Sequence, residues 1–246
     1  MVITVSFVMC VIEGVLQYRE TKYVSDIAWQ IVRQAQAEDS HSRIVAMRDY
    51  LHKRVTSINA PIEDRPFLRA SAADTLNSGK GYCGEVTRTF ICLADAVGIR
   101  AQRINLYGKK LHVVAEAEVS PGKRVIVDCQ DPPQVPDMEP LDKVILHQDY
   151  DDYSTLNLRR LRLNWLVSRI KLEMGPLTFW SENPHALKAG LWSMIFLALV
   201  ITRFALIGVR SLLKRYITWR GWVRVTDSKY FGAVKNVRNS RNSLTG

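Results

Sequence analysis

Apolar residues at helical spacing dominate the N-terminal part of the chain. Two stretches have an apolar residue at every third or fourth position, which predicts two amphipathic helices on either side of the polar residues 39–42. Their apolar positions are Val24, Ile27, Ile31 and Ala35 in the first helix and Ile44, Met47, Leu51 and Val55 in the second. A third set predicts a helix that starts near Cys83 and ends at Gly98. Its apolar positions are Val86, Phe90, Leu93, Ala94 and Val97.

The middle of the chain alternates apolar and polar residues, which predicts an antiparallel sheet. Residues 99–107 form the first predicted strand, and 108–110 turn the chain into a second strand over 111–119. The turn 120–123 leads into a third strand, 124–128. Helices followed by hairpin-connected strands indicate an α+β fold, in which the N-terminal helices pack on the antiparallel sheet.

A long apolar stretch near the C-terminal end predicts a transmembrane helix. Ala189–Val209 has 21 residues, and a helix of that length reaches about 31 Å, the apolar thickness of a bilayer. Its only charged residue, Arg203, is near enough to one end for the side chain to reach the lipid headgroups. A helix buried in a larger soluble domain is the less favoured alternative, because few residues remain to surround it.

The N-terminal apolar run Met1–Ile12 has several interpretations. It is short for a bilayer span, and no basic residue precedes its interruption at Glu13, as a secretory signal would require. The sequence fits a truncated signal anchor, and it also fits a helix or strand packed on the domain or on a membrane surface.

The positive charge of the chain is concentrated in a basic tail. Of the formal net charge of +10, residues 203–246 carry nine units, with ten basic side chains and one acid, Asp227. We expect this tail to bind anionic lipid headgroups, and the positive-inside rule makes it cytoplasmic and places the preceding domain on the outer face. The N-terminal run supports that topology poorly, so the sidedness stays open. Nucleic-acid binding through Trp219, Trp222 and Tyr230 ranks last, because a basic flank beside a membrane span already has an explanation.

Candidate chemistry begins at Cys83, which lies close to Gly81 and Gly84 in the first residues of the third predicted helix. The positive end of the helix dipole favours the thiolate, which is the nucleophile. The glycines would let a substrate backbone approach the sulfur closely. A small buried cysteine is the alternative for a lone thiol. The other cysteines are expected to be structural, mostly buried thiols: Cys10, Cys92 and Cys129.

A histidine and an aspartate bracket the predicted hairpin. His112 opens the second strand and Asp128 closes the third, so a base and an orienting carboxylate follow the thiol along the chain. Because side chains alternate between strand faces, the two share a face only if paired residue numbers add to an even value. That register requires an odd-length loop or a bulge. We expect a three-residue loop, Ser120–Gly122, with Asp128 opposite Val114 and diagonal to His112.

The order and spacing of these residues resemble the transglutaminase-like superfamily, a circular relative of the papain-like cysteine enzymes. The resemblance covers roughly 71–132 and rests on Gly81-Tyr82-Cys83-Gly84-Glu85, on Leu93-Ala94-Asp95-Ala96-Val97-Gly98-Ile99-Arg100-Ala101, on His112 with Glu116, and on Val127-Asp128. It implies that Cys83 attacks an amide carbonyl, that His112 moves the proton and that Asp128 orients His112. Asp131 is the second candidate for the orienting role.

The chain departs from the family pattern around the expected substrate groove. The family commonly has an aromatic residue soon after the histidine and another shortly before the aspartate, where Val113, Val114 and Val125 stand here. Cys129 replaces the usual proline after the aspartate. These differences affect the shape of the groove more than the triad.

Other polar residues fall outside the predicted site. His41 and His52 are expected to be solvated. Asn77 is a weak candidate for an oxyanion donor, and the backbone N–H of Cys83 is the better one. The acidic cluster over 149–152 lacks the rest of a calcium-binding loop and is interpreted as a solvated turn. No cofactor or metal is expected.

The sequence therefore predicts a membrane-anchored, cysteine-dependent enzyme that acts on peptide or protein amides through a thioester, with hydrolysis favoured over crosslinking. The alternative is a catalytically inactive domain of the same fold that binds or scaffolds proteins at the membrane. The expected organisation is an apolar segment 1–18, a transglutaminase-like catalytic domain 19–140, an amphipathic connector 141–188, a transmembrane helix 189–209 and a basic tail 210–246.

Overall fold

The computed structural model describes residues 1–58, 70–146, 149–156 and 171–221. The chain divides into two compact units, of which Thr4–Ser193 contains the sheet and the candidate site. Met1–Ile3 and Met194–Gly246 make up the other unit. The arginine-rich part of the predicted connector and most of the basic tail lie outside the described residues.

The first helix is longer than the sequence predicted. α1 (Val2–Gln34) continues from the apolar run Met1–Ile12 through Glu13 and into the first amphipathic helix. Glu13 does not interrupt it, because its buried carboxylate pairs with His185 Nδ1 at 2.6 Å and lies 3.5 Å from Lys188 Nζ. The apolar run is therefore the first part of α1.

The predicted second and third helices are also present. The described helices after α1 are α2 (Ser40–Arg54), α3 (Ala72–Ser78), α4 (Cys83–Ala96), α5 (Leu141–Ile145), α6 (Leu177–Glu182) and α7 (Pro184–Trp219). Asp39 caps α2 by accepting a hydrogen bond from the Ser42 N–H at 2.8 Å. α3 ends at Gly79, whose φ of 63° is the left-handed conformation common at helix ends.

An antiparallel sheet of four strands forms the second layer, as the alternating pattern predicted. The strands are β1 (Thr56–Ser57), β2 (Lys80–Gly81), β3 (Ala101–Gly108), β4 (His112–Ser120), β5 (Lys123–Val127) and β6 (Tyr150–Ser154). The four long strands are ordered β5-β4-β3-β6, with every neighbouring pair antiparallel. β1 and β2 form a separate parallel pair that leads directly into α4. The acidic cluster over 149–152, interpreted above as a solvated turn, lies largely in the edge strand β6.

The helix α4 is buried between the other helices and the sheet. Phe90, Leu93 and Ala94 on α4 have no exposed surface, and they belong to one core with the apolar face of α2 and with Ala115 and Ala117 of β4. The opposite face of the sheet packs a smaller core around α5 and β6. Because α4 is enclosed over most of its length, its first residue is held rigidly against the sheet.

Two described helices are long and apolar enough to cross a membrane, by length and composition alone: α1 and α7. The sequence predicted one span, Ala189–Val209, which lies inside α7. Large apolar side chains of α7 are exposed, including Leu197 at 57% and Ile201 at 58%.

Candidate active site

Cys83 is the first residue of α4, as the sequence predicted. Glu85 fixes the start of this helix, because its Oε2 accepts a hydrogen bond from the Tyr82 N–H at 3.1 Å. The first N–H groups of a helix have no intrahelical acceptor and carry the positive end of the helix dipole. The sulfur of Cys83 therefore lies where a negative charge is stabilised, and the residue is 6% exposed.

The glycines beside Cys83 leave room for neighbouring side chains of the protein itself. A Cβ on Gly81 would lie 2.7 Å from a methyl group of Val86. A Cβ on Gly84 would lie 3.1 Å from Nη1 of Arg103. The space that each missing side chain leaves is already filled by the protein.

His112 and Asp128 meet on the face of the sheet that the register argument requires. His112 Nε2 lies 3.0 Å from Asp128 Oδ2, and both side chains are buried. Ala115 pairs with Val127, so paired residue numbers add to an even value, as the argument requires. Continued by one pair, this register places Val114 opposite Asp128.

The hairpin achieves this register by a bulge and not by the expected three-residue loop. Ser120 pairs with Lys123, so the turn itself has only two residues, Pro121 and Gly122. The register shifts between Glu118 and Ser120, where Val119 is the extra residue. Without that residue in β4, a two-residue turn would turn Asp128 to the other face of the sheet.

Backbone N–H groups surround the carboxylate of Asp128. Its Oδ2 accepts hydrogen bonds from the N–H groups of Gln134 at 2.7 Å and Val135 at 3.3 Å. Its Oδ1 accepts one from the N–H of Gln130 at 3.1 Å. Three amide donors and an imidazole therefore stabilise the ionised carboxylate at a site with no solvent exposure.

The surroundings of His112 favour its protonated form. Burial alone lowers the pKa of this histidine, but hydrogen bonds to Asp128 and Cys83, together with their charges, raise it to about 9. Because Nε2 faces Asp128, Nδ1 is the ring nitrogen left for Cys83. The structure thus brings Cys83, His112 and Asp128 together in the predicted order.

Two residues of α2 support the site and were missed by sequence reasoning. His52, expected to be solvated, is half-buried and lies with Nε2 2.9 Å from the backbone oxygen of Asp128. Arg48 forms an ion pair with Asp137, whose Oδ1 accepts a hydrogen bond from the Asp128 N–H at 3.1 Å. The two α2 residues are four positions apart and so share a helix face, which is the only signal that the sequence offered.

The remaining candidates lie outside the triad. Asp131 is exposed, and Asp128 is the aspartate that contacts His112. Asn77 lies in α3 and accepts a hydrogen bond from the hydroxyl of Tyr23 at 2.6 Å. Burial raises the pKa of the thiols of Cys92 and Cys129. His41 is exposed.

Another residue near the triad is Tyr150 of β6. Burial chiefly raises its pKa to about 12, and the charges of Asp128, Asp149 and Cys83 add to the effect.

Among the described residues, no group of three or more His, Cys, Asp or Glu side chains is arranged to hold a metal ion.

The three candidate residues lie within a part of the chain that matches a known protein family. Residues 25–129 match the family model of the transglutaminase-like superfamily. No curated protein of similar sequence was found.

Two solved structures resemble parts of the chain. One is a protein from Cytophaga hutchinsonii proposed to be a cysteine protease, with 22% identity, a TM-score of 0.41, and coverage of 50% of this chain and 40% of that one. The other is a protein from Parabacteroides distasonis proposed to be a protease, with 14% identity, a TM-score of 0.37, and coverage of 46% and 25%. The chain thus spans less than half the length of either protein.

Proposed function

Since residues 25–129 form a domain of the transglutaminase-like superfamily, we propose that this chain is a cysteine-dependent enzyme that hydrolyses or transfers peptide or protein amides. The observation that carries the proposal is the buried pair of His112 and Asp128, joined at 3.0 Å, with the thiol that opens α4 close enough to raise the pKa of His112. A nucleophile, a base within reach and a group that orients the base are the parts that covalent acyl transfer needs.

In the proposed mechanism, His112 takes the proton of the Cys83 thiol at Nδ1, and the thiolate attacks the carbonyl carbon of the amide. The carbonyl electrons move to oxygen, and the N–H groups at the start of α4 stabilise the resulting oxyanion. The imidazolium then donates its proton to the departing amine as the C–N bond breaks, which leaves a thioester on Cys83. Asp128 holds Nε2–H throughout and so fixes the tautomer of His112.

Water resolves the thioester in the second half of the cycle. His112, now neutral, takes a proton from the water as its oxygen attacks the thioester carbonyl carbon. The C–S bond breaks, the carboxylic acid leaves, and the thiol of Cys83 recovers the proton. An amine in place of water would give a new amide. We favour hydrolysis, because the sequence contains no feature that marks an amine site.

The enclosure of the sulfur is the observation that favours the second candidate function, a catalytically inactive domain that binds proteins at the membrane. Cys83 is only 6% exposed, so a peptide reaches the sulfur only when the surrounding residues move apart. An inactive domain needs no such movement. The closeness of His112 to the Cys83 thiol weighs against this candidate, because an inactive domain does not need a base beside its thiol.

Alkylation of the cysteines distinguishes the two functions. We expect Cys83 to react with iodoacetamide at pH 6 about tenfold or more faster than free cysteine, because the imidazolium of His112 stabilises the thiolate. Peptide mass spectrometry at each site measures the rates, with Cys92 and Cys129 as internal slow controls because burial raises the pKa of both. A rate equal to that of free cysteine, unchanged by His112→Gln, would overturn the enzyme proposal.

We further propose that the segment Ala189–Val209 of α7 anchors the chain in a membrane, with the basic residues of the tail 210–246 bound to anionic headgroups. The exposed apolar surface of α7 supports this anchor. Leu197→Arg combined with Ile201→Arg is expected to convert the protein from carbonate-resistant to carbonate-extractable, since an arginine at the centre of a span costs about 2.5–3.5 kcal/mol.

Sedimentation of membranes after carbonate washing measures this change. Leu146→Arg is the matched control, because Leu146 is an exposed leucine outside both candidate spans, and this variant should stay in the membrane pellet. Retention of the double variant in the pellet would exclude α7 as the only anchor.

A further inference from the structure

A cluster of three buried charges lies beneath the first turn of α4. Arg88 of α4, Arg103 of β3 and Glu182 of α6 are 2%, 4% and 2% exposed. Nε and Nη2 of Arg103 donate to the two carboxylate oxygens of Glu182 at 2.8 and 2.6 Å. Nε of Arg88 lies 3.3 Å from Oε2 of the same carboxylate. One acid therefore neutralises two buried guanidinium groups in part.

Arg103 also contacts the residue that follows the nucleophile. Its Nη2 donates a hydrogen bond to the backbone oxygen of Gly84 at 2.8 Å. The guanidinium lies so close to Gly84 that a Cβ there would be 3.1 Å from Nη1. The position of Arg103 therefore constrains the backbone of the first turn of α4.

Glu182 holds Arg103 by two parallel hydrogen bonds, and it belongs to a distant part of the chain. It lies outside the family match at 25–129 and is the last residue of α6. The next residue, Asn183, accepts a hydrogen bond from Gln17 of α1 at 2.9 Å. Glu182 is thus fixed on one side by α1 and on the other by the two arginines.

We propose that Glu182 is a positioning residue for Cys83, acting through Arg103 and the Gly84 carbonyl. This inference rests on the proposed function, because it concerns the alignment of Cys83 with His112. Buried arginines need their counter-ion, and a bidentate carboxylate fixes the plane of the guanidinium as well as its charge. Loss of the carboxylate lets Arg103 turn, and the first turn of α4 then loses its fixed distance to the imidazole.

Glu182→Gln tests the proposal in the full-length protein in detergent. We expect Cys83 to be alkylated about tenfold more slowly than in the wild type at pH 6, because a small misplacement of reacting groups is costly. At pH 9.5 we expect rates within about twofold of each other, since a thiolate then forms without help from His112. Glu173→Gln is the matched control: this acid is exposed, precedes α6 and pairs with the half-exposed Arg124, so its rates should not change.

Arg103→Lys provides a second variant that keeps the charge but removes the fork and its contact with Gly84. Alkylation of Cys83 in this variant should be slow at pH 6 and as fast as in the wild type at pH 9.5. If circular dichroism shows that Glu182→Gln does not fold, Arg103→Lys tests the proposal in its place. A folded variant that matches the wild type at pH 6, or that is slowed equally at both pH values, would overturn the positioning role. A wild-type Cys83 that is slow at pH 6 would instead refute the proposed function and this inference with it.

Discussion

Asp128→Asn is expected to reduce the rate of amide hydrolysis by about 10³- to 10⁴-fold, because the orienting group of a catalytic histidine fixes its tautomer. It should also lower the free energy of unfolding by about 3 kcal/mol, as breaking one side of a buried ion pair does. An asparagine has one carbonyl oxygen where Asp128 has two. Its NH₂ group would therefore face either the Gln130 N–H or the donors on Oδ2, which include the Gln134 N–H and His112.

Hydrolysis of a peptide substrate measures the first effect, and urea unfolding in detergent measures the second. Until a substrate is found, the alkylation rate of Cys83 reports whether His112 still activates the thiol. The chain offers a matched control in Asp131→Asn, three residues further on, because Asp131 is exposed and His112 contacts Asp128 instead. The control should keep the wild-type rate and stability. Equal effects of the two substitutions would show that Asp128 has no special role.

The stability of the domain is expected to fall as the pH rises through about 9. The pKa of His112 is raised to about 9 in the folded state, above the ordinary value of about 6.5. A group with a raised pKa contributes stability that is complete below about pH 6.5 and is lost as the pH passes the folded value. The difference between the folded and the ordinary pKa of His112 corresponds to about 3 kcal/mol in the free energy of unfolding. Hydrolysis should decline over the same range, because the leaving amine then lacks its proton donor.

Urea unfolding at pH 6.5 and pH 9.5 and the NMR titration of the His112 ring measure this dependence. His112→Gln removes the group, and its stability should lose this part of the slope. Cys83→Ala should lower the pKa of His112 without returning it to the ordinary value, because Asp128 still raises it. A His112 ring that titrates near pH 6.5 in the wild type would contradict the ionised pairing.

The helix start at Cys83 and the strand register of His112 and Asp128 were accessible from the sequence because both follow from local rules. Helical spacing places Cys83 at a helix start, and strand alternation demands an even-sum pairing between the strands of His112 and Asp128. Strand alternation cannot say where the one extra residue of the hairpin lies, because an extra residue in the turn and an extra residue in the strand give the same pairing. The structure places it at Val119.

Contacts between distant segments were beyond sequence reasoning. By sequence alone Glu13 ends an apolar run, since nothing local neutralises it, whereas His185 and Lys188 pair with it across the fold. The sequence predicts a solvated His52, because a histidine on a helix carries no mark of a partner as far away as Asp128. Pairing partners separated by so many residues follow from the packing of whole elements, which a residue pattern does not encode.

The bulge at Val119 lies between the tip of the hairpin and the end that carries His112 and Asp128. Because the extra residue lies in β4, it alone sets which way the side chains of β5 point for a turn of two residues. Gly122 itself has a φ of 77°, which favours glycine at the tip. We therefore expect the insertion of two residues in the turn to leave Asp128 on the same face as His112, whereas a single residue inserted between Lys123 and Asp128 would turn Asp128 to the opposite face.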